Sequence, residues 1–393
     1  MHAGRFVFAQ LMDFLPLRAF HACVARYRGD YKIRSFSCLE QFLTLAFAQL
    51  THRESLRDIE TSLRAMQPKL YHAGFRSPIA RTTLAEANET RDWRIYAEFA
   101  HELIAVARPL YADDALAVDL ALDLAQTVYA LDATTIDLCL SLFPWASFRR
   151  TKGGIKLHTL LDLRGSIPTI VEITPARVAE LTLLDVLAHE PGAIYVLDRG
   201  YLDFTRLYAL SQAGVFFVLR SRERLQHARV YSHPIDRTTG LRSAQTIRLT
   251  GPKTQHAYPG QLRRVCFVDE TQARRFIFLT NHVGVPAQTI AALYKLRWQV
   301  ELFFKWIKQH LRIKAFYGTS ENAVKIQVWT AITVYVLVAI VKKRLGTPLP
   351  LYRILQILSV TLFEKTPLPQ LLTNATSQFL GDDSANQLPL FEL

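Results

Sequence analysis

From about Phe6 to Leu110, apolar residues recur at three- and four-residue spacing, a pattern that predicts helices throughout. "FSCLEQFLTLAFAQL", "SLRDIETSLRAM" and "LAEANETRDWRIYAEFAHELIAVA" are the clearest segments. Thr51 with Glu54, and Thr83 with Glu86, have the spacing of a capping box, so helix starts are expected there. From about Val128 to Arg220 the pattern shortens to β-rich runs: "VYALDATTIDLCL", "IKLHTLLDL", "TIVEIT", then a helical "AELTLLDVLAHE", then "AIYVLD" and "VFFVLR". Turn-connected strands, followed by a strand after a helix, predict an α/β domain with a mixed sheet. Between about Ser221 and Val285, "TIRLT", "RRVCFVD" and "RRFIFLTN" form a separate β-rich block, the last two joined by a polar loop at Glu270 to Ala273. After Pro286 long helices return. The expected division is a helical segment 1–115, an α/β core in two parts at 116–220 and 286–393, and a β-rich insertion at 221–285.

The longest apolar run, Ile326 to Val341, falls short of the roughly 20 residues that span a bilayer and contains Gln327 and threonines. A buried core helix is expected, with the following "KKRLG" placing cations near its last carbonyls. The first twenty residues break their apolar run with Gln, Asp and Arg, which makes a poor export signal and points to the cytoplasm. Cys23, Cys38, Cys139 and Cys266 lie far apart with no C-x-x-C pair, and are expected to be reduced, buried thiols. Half of the 393 residues are hydrophobic and about a fifth charged, the balance of a folded chain. Charge changes the picture. A net charge of +13 predicts attraction to a polyanion, nucleic acid or an anionic membrane surface.

Against that background, "LYKLRWQVELFFKWIKQHL" sets a single Glu among cations and aromatics. At about 100° per residue, Tyr294, Arg297, Glu301, Lys305, Lys308 and Arg312 share an arc of roughly 80°, with Leu293, Leu296, Val300, Phe303, Phe304, Ile307 and Leu311 beside it. Alone, Glu301 is explained by pairing with Arg297 and Lys305 at four-residue spacing. Two aspartates give it other partners. Asp132 follows "VYAL" and Asp198 ends "AIYVLD", and residues at the ends of parallel strands line the crevice where ligands bind. Asp162 fits a turn between strands, and Asp137 falls on a strand already running. Two strand-end aspartates and a helical glutamate make a hard-oxygen site suited to Mg²⁺ or Mn²⁺, and two such ions carry out phosphodiester chemistry.

The spacing Tyr, two residues, Arg, three residues, Glu, six residues, Lys is met by Tyr294, Arg297, Glu301 and Lys308, and resembles the signature of the insertion-sequence-four type of DDE transposase. "LDATTI", "LDRGY" and "FYGTSENAVKIQVWTAI" are similar to the same family, so the resemblance runs from about Val128 to Val341. It implies a ribonuclease H-like core with a β-rich insertion and an all-α N-terminal domain. It further implies Asp132, Asp198 and Glu301 as a triad holding two Mg²⁺ or Mn²⁺ ions, with Tyr294, Arg297 and Lys308 on the DNA end. The implied reaction is cleavage at the ends of a mobile element and joining of the 3′-hydroxyl to target DNA, by a homodimer on DNA. Lys305 is a further candidate for DNA contact and Trp306 for core packing.

The helical segment is expected to recognise the element's ends, through Arg76, Arg81, Thr82 and Arg91 around a helix start. Arg220, Arg222 and Arg224 alternate after a strand and would make one face of an extended chain basic. Three alternatives belong to other classes: a DNA-binding protein that no longer transposes, a structure-specific nuclease, and a peripheral membrane protein.

Overall fold

The computed structural model describes residues 4–114, 116, 126–149, 152–269, 274–310 and 316–382. They fall into two compact units. One joins Met1–Ala112 to Ser141–Trp145 and Lys305–Leu393; the other joins Asp113–Leu140 to Ala146–Phe304. Division by contact thus parts from division in chain order at Lys305, whose following helices share the unit of the first 112 residues.

The second unit is organised by one mixed sheet. Its described strands are β1 (Val128–Leu138), β2 (Ser147–Arg149), β3 (Lys152–Asp162), β4 (Ile167–Pro175), β5 (Ile194–Leu197), β6 (Phe216–Arg220), β7 (His227–His233), β8 (Leu241–Leu249), β9 (Gln261–Asp269) and β10 (Arg274–Thr280). Five of them run in the order β4-β3-β1-β5-β6, antiparallel as far as β1 and parallel beyond it. That is the mixed sheet expected of an α/β core. All four residues of β5 are buried, as the all-apolar "IYVL" of an internal parallel strand requires.

The β-rich block does not stand apart. Strand β10 pairs antiparallel with β6, Leu279 opposite Leu219, and β9, β8 and β7 follow it. Without β10, the outer edge of β6 would present unpaired N–H and C=O groups, in a strand whose middle residues Phe217, Val218 and Leu219 are buried. The loop expected at 270–273 lies outside the described residues. Strand β7 escapes the apolar pattern because it is solvent-facing for most of its length. The expected helix "AELTLLDVLAHE" shrinks to a 3₁₀ turn, Glu180–Thr182, and one helical turn, Leu183–Val186, because Leu183, Leu184 and Leu187 reach the core from so short a segment.

In the first unit, helix starts differ from the expected boxes. Thr51 ends a helix, Cys38–Leu50, donating its hydroxyl to Phe47 O at 2.7 Å, and the next helix, Leu56–Ala65, is capped by Ser55. Thr83 lies inside Arg81–Thr90, which starts after Ala80. Among the described residues of this unit the capping box is Ser37 with Glu40. Glu40 is buried, and accepts from Ser37 N at 2.9 Å, Arg76 N at 3.0 Å, Ser77 N at 2.9 Å and the Ser77 hydroxyl at 2.7 Å. Burial alone would raise its pKa; the Ser77 hydroxyl and the three N–H groups outweigh that and hold it below the usual carboxylate range. Glu40→Ala orphans these donors in two segments at once, and should cost about 2–4 kcal/mol in urea unfolding. A loss under about 1 kcal/mol would contradict the tie.

Around that tie lies an aromatic core of Phe20, Phe42 and Phe99. The helix Glu321–Arg344 is long and apolar enough to cross a membrane, but it is enclosed within this unit, with Tyr111 donating to Ala339 O at 2.8 Å. Its last turn carries Lys342, Lys343 and Arg344, as a helix C-terminus favours. Chain ends meet here: Val7 N donates to Glu364 O and Phe8 N to Leu362 O, each at 2.9 Å, while Gln10 bonds to Thr366 O and Leu368 N. Cys23, Cys38 and Cys266 are buried as expected, but Cys139, just past β1, is exposed.

Candidate active site

Parallel pairing between β1 and β5 ends at Leu131 opposite Leu197. Asp132 and Asp198 are the next residue on each strand, so the sheet itself delivers two carboxylates side by side at the carboxyl end of its parallel strands. β1 continues past Asp132 against β3 alone, with Asp132 opposite Thr159. Asp132 Oδ1 accepts from Ala133 N at 2.8 Å, and Oδ2 accepts from Arg297 Nη1 at 2.9 Å. Arg297 Nη2 donates to Glu301, so one guanidinium bridges Asp132 and Glu301. The Tyr294 hydroxyl donates to Asp198 Oδ1 at 3.4 Å. Arg297 also lies over the Tyr294 ring, 5.9 Å from its centre, so five residues expected at the site, Asp132, Asp198, Tyr294, Arg297 and Glu301, are linked in one cluster.

The expected single helix is interrupted. Ala287–Lys295 ends, Leu296 and Arg297 form a turn, Trp298–Lys305 follows, and Trp306–His310 is a π turn. Interruption at Arg297 and a π turn, which adds residues to each revolution, both spoil a wheel drawn at a constant angle. Lys308 lies in that π turn and belongs, like Lys305, to the other unit.

Burial pushes the Asp132 carboxyl up to about 6, against the Ala133 N–H and Arg297, and with the negative charges of Asp198 and Glu180 adding to it. Raised above its unfolded value, such a carboxyl stabilises the fold below about pH 4, and that contribution is lost as pH rises to about 6. In metal-free protein, the stability difference between wild type and Asp132→Asn should therefore change between pH 4 and 6 and level off above, measured by thermal melts in EDTA. A difference independent of pH would refute it.

Two neighbours escape any search by spacing. Tyr201, of "LDRGY", is fully buried, and its hydroxyl has no hydrogen-bond partner among the described residues. Burial and the charges of Asp132, Glu180 and Asp198 hold its pKa far above the usual phenol value. Glu180 stood hidden as a first-turn acid of the helix expected there. The oxygen donors Asp132, Asp198, Glu301 and Tyr201 fit a hard divalent cation in kind, although Arg297 keeps Glu301 apart and no three acidic, His or Cys side chains form a compact group among the described residues.

Other expected residues are placed elsewhere. Arg220 stacks on Phe276, 5.2 Å from its ring centre, while Arg222 and Arg224 are exposed in the connection after β6 and not on a strand. Arg76 stacks on the exposed Tyr71, and Arg81 and Thr82 are exposed at the start of their helix. Arg91 is no surface cation: it is buried, and donates to Ser37 O, Gln41 Oε1 and Phe36 O. Trp306 packs edge-on against Tyr335 in the core, as expected. Asp162 accepts from Arg164 N in the β3–β4 turn, and Asp137 sits on β1 opposite Gly154.

The model of the transposase DDE domain matches residues 123–337, more than half of the chain and all of Asp132, Asp198 and Glu301. The chain belongs to the transposase DDE domain family. Domains of this family use divalent metal ions. A domain of unknown function, DUF4372, matches residues 3–76 of this DDE-family chain. It is 34% identical to y4zB of Sinorhizobium fredii, named as a transposase, over 56% of the chain and 63% of that protein. It is 31% identical to a protein of Geobacillus stearothermophilus named as the transposase of an insertion sequence element, over 49% of the chain and 51% of that protein. The chain thus spans about half to two thirds of these curated relatives. Among solved structures it resembles piggyBac transposase in a synaptic complex with hairpin DNA, at 11% identity and a TM-score of 0.43, covering 97% of this chain and 84% of that one.

Proposed function

We propose that this DDE-family protein is a DNA transposase that binds the ends of an insertion sequence, cuts phosphodiester bonds there and joins the 3′-hydroxyl to target DNA. One observation carries the reading: Asp132 and Asp198 leave adjacent parallel strands at one level, and Arg297 and Tyr294 tie the Glu301 helix to them. Asp132, Asp198 and Glu301 would hold Mg²⁺ or Mn²⁺, two ions in the full reading. Such ions activate the attacking water or hydroxyl and stabilise the leaving oxygen. Arg297, placed between two carboxylates, keeps like charges from repelling and offers a planar fork for a phosphate. The net charge of +13 supports backbone contact, with Lys305, Lys308, Arg220 and Arg222 as contact candidates. Residues 1–115, with Arg76 and Arg81 exposed, would recognise the ends, and the protein would act as a homodimer on DNA in the cytoplasm.

Purified protein incubated with labelled element ends in Mg²⁺, with the cut strand mapped and strand transfer scored, tests the proposal. Cleavage without joining would indicate a nuclease. Binding without cleavage would indicate a DNA-binding protein that no longer transposes.

A further inference from the structure

Beside the two aspartates lies a fourth carboxylate. Glu180 opens the 3₁₀ turn Glu180–Thr182, which packs on the turn Arg199–Tyr201 directly after Asp198. Its Oε2 lies 3.8 Å from where a Cβ on Gly200 would stand. Its Oε1 lies 3.4 Å from Lys156 Nζ, and that ammonium is itself anchored to Val178 O at 2.9 Å. Lys156 is mostly buried on β3, so it holds one oxygen of Glu180 in place and leaves the other toward the Asp198 turn. The Tyr201 hydroxyl, in the turn against which Glu180–Thr182 packs, is buried and without a partner among the described residues. A buried hydroxyl donor left unpaired costs about 1–3 kcal/mol, so a group that accepts from it would recover that cost. Charge points the same way. Asp132, Asp198, Glu180 and Glu301 face two cations, Arg297 and Lys156, leaving two negative charges.

We propose that Glu180, with the Tyr201 hydroxyl, is a positioning pair for the water shell of a divalent cation held at Asp132 and Asp198. This deepens the metal site proposed above and rests on it. Residues that hold a ligand's surroundings in place commonly change metal affinity about 10–100-fold when removed. Glu180 would accept from coordinated water and Tyr201 would donate to a carboxylate or to that water.

The test is Mn²⁺ titration of the purified full chain, followed by electron paramagnetic resonance of free Mn²⁺, together with thermal melts in EDTA and in Mn²⁺. Glu180→Gln should weaken Mn²⁺ binding about tenfold and shrink the Mn²⁺-induced rise in Tm measured against the variant's own Tm in EDTA, which falls with the loss of the Lys156 pair. Glu180→Asp should restore part of the affinity, which a purely structural role would not. Tyr201→Phe, which keeps the ring, should weaken binding in the same direction and stands in if Glu180→Gln does not fold. Wild-type affinity in both variants, with Asp132→Asn losing Mn²⁺, overturns the positioning pair and leaves the site. Wild-type affinity in Asp132→Asn as well overturns the metal site and the pair together.

Discussion

Asp132→Asn, Asp198→Asn and Glu301→Gln should each lower strand cleavage at element ends by about a thousandfold or more in Mg²⁺, with end binding largely intact. Removing several kcal/mol of charge stabilisation at a metal-assisted phosphoryl centre has that size, since about 1.4 kcal/mol is tenfold in rate. The three substitutions keep shape and remove charge. They differ in what else they disturb. Asp132→Asn takes the carboxylate that Arg297 Nη1 contacts at 2.9 Å, and Glu301→Gln takes the other arm of the same guanidinium. Among the described residues the Asp198 carboxylate accepts one side-chain hydrogen bond, from the Tyr294 hydroxyl at 3.4 Å, so Asp198→Asn is the cleanest probe of charge alone. Gel-resolved cleavage of labelled ends, beside a mobility shift with the same DNA, reads both properties. Cleavage by Glu301→Gln at more than a tenth of the wild-type rate would sink the assignment.

Phe99→Ala should destabilise the helical unit by about 3–5 kcal/mol, as expected for a large ring removed from a closed core. Phe99 is fully buried and meets Phe20 edge-on at 4.9 Å between ring centres and Phe42 at 5.5 Å. Phe20 and Phe42 are stiff rings that cannot extend into the gap, so the cavity term adds to the lost transfer energy. Chemical denaturation of the full chain followed by far-ultraviolet circular dichroism measures it. A loss below about 1.5 kcal/mol would mean that this core relaxes around the hole.

How far the sequence reaches can be judged residue by residue. The strands of the sheet's centre were legible because "VYAL", "IYVL" and "FFVLR" are apolar on both faces, which internal parallel strands demand. Asp132 and Asp198 were legible because each ends such a run. Tyr294, Arg297 and Glu301 were legible through spacing. The break at Leu296 and Arg297 was not, since its residues are ordinary helix formers and the turn is set by the tie from Arg297 to Asp132, 165 positions away. Glu180 and Lys156 were invisible for the same reason: their meeting depends on how the β4–β5 connection folds back. Capping boxes failed where two candidates compete. Ser55 offers its oxygen to Asp58 N once Thr51 is spent on Phe47 O. Charge alone also misled, because Arg91 looks like a surface cation in sequence and is instead a buried clamp on Ser37 and Phe36.

The meeting of Gln10 with Thr366 and Leu368 has a consequence for the order in which this protein comes into being. Asp113–Leu140 and Ala146–Phe304 form a unit whose parts are close together along the chain, so it can close while synthesis is still under way. The helical unit cannot. Its first helices must wait for partners more than 350 positions later, during the seconds in which a ribosome adds about 5–20 residues each. A nascent chain therefore carries a finished carboxylate cluster before it carries a finished helical unit.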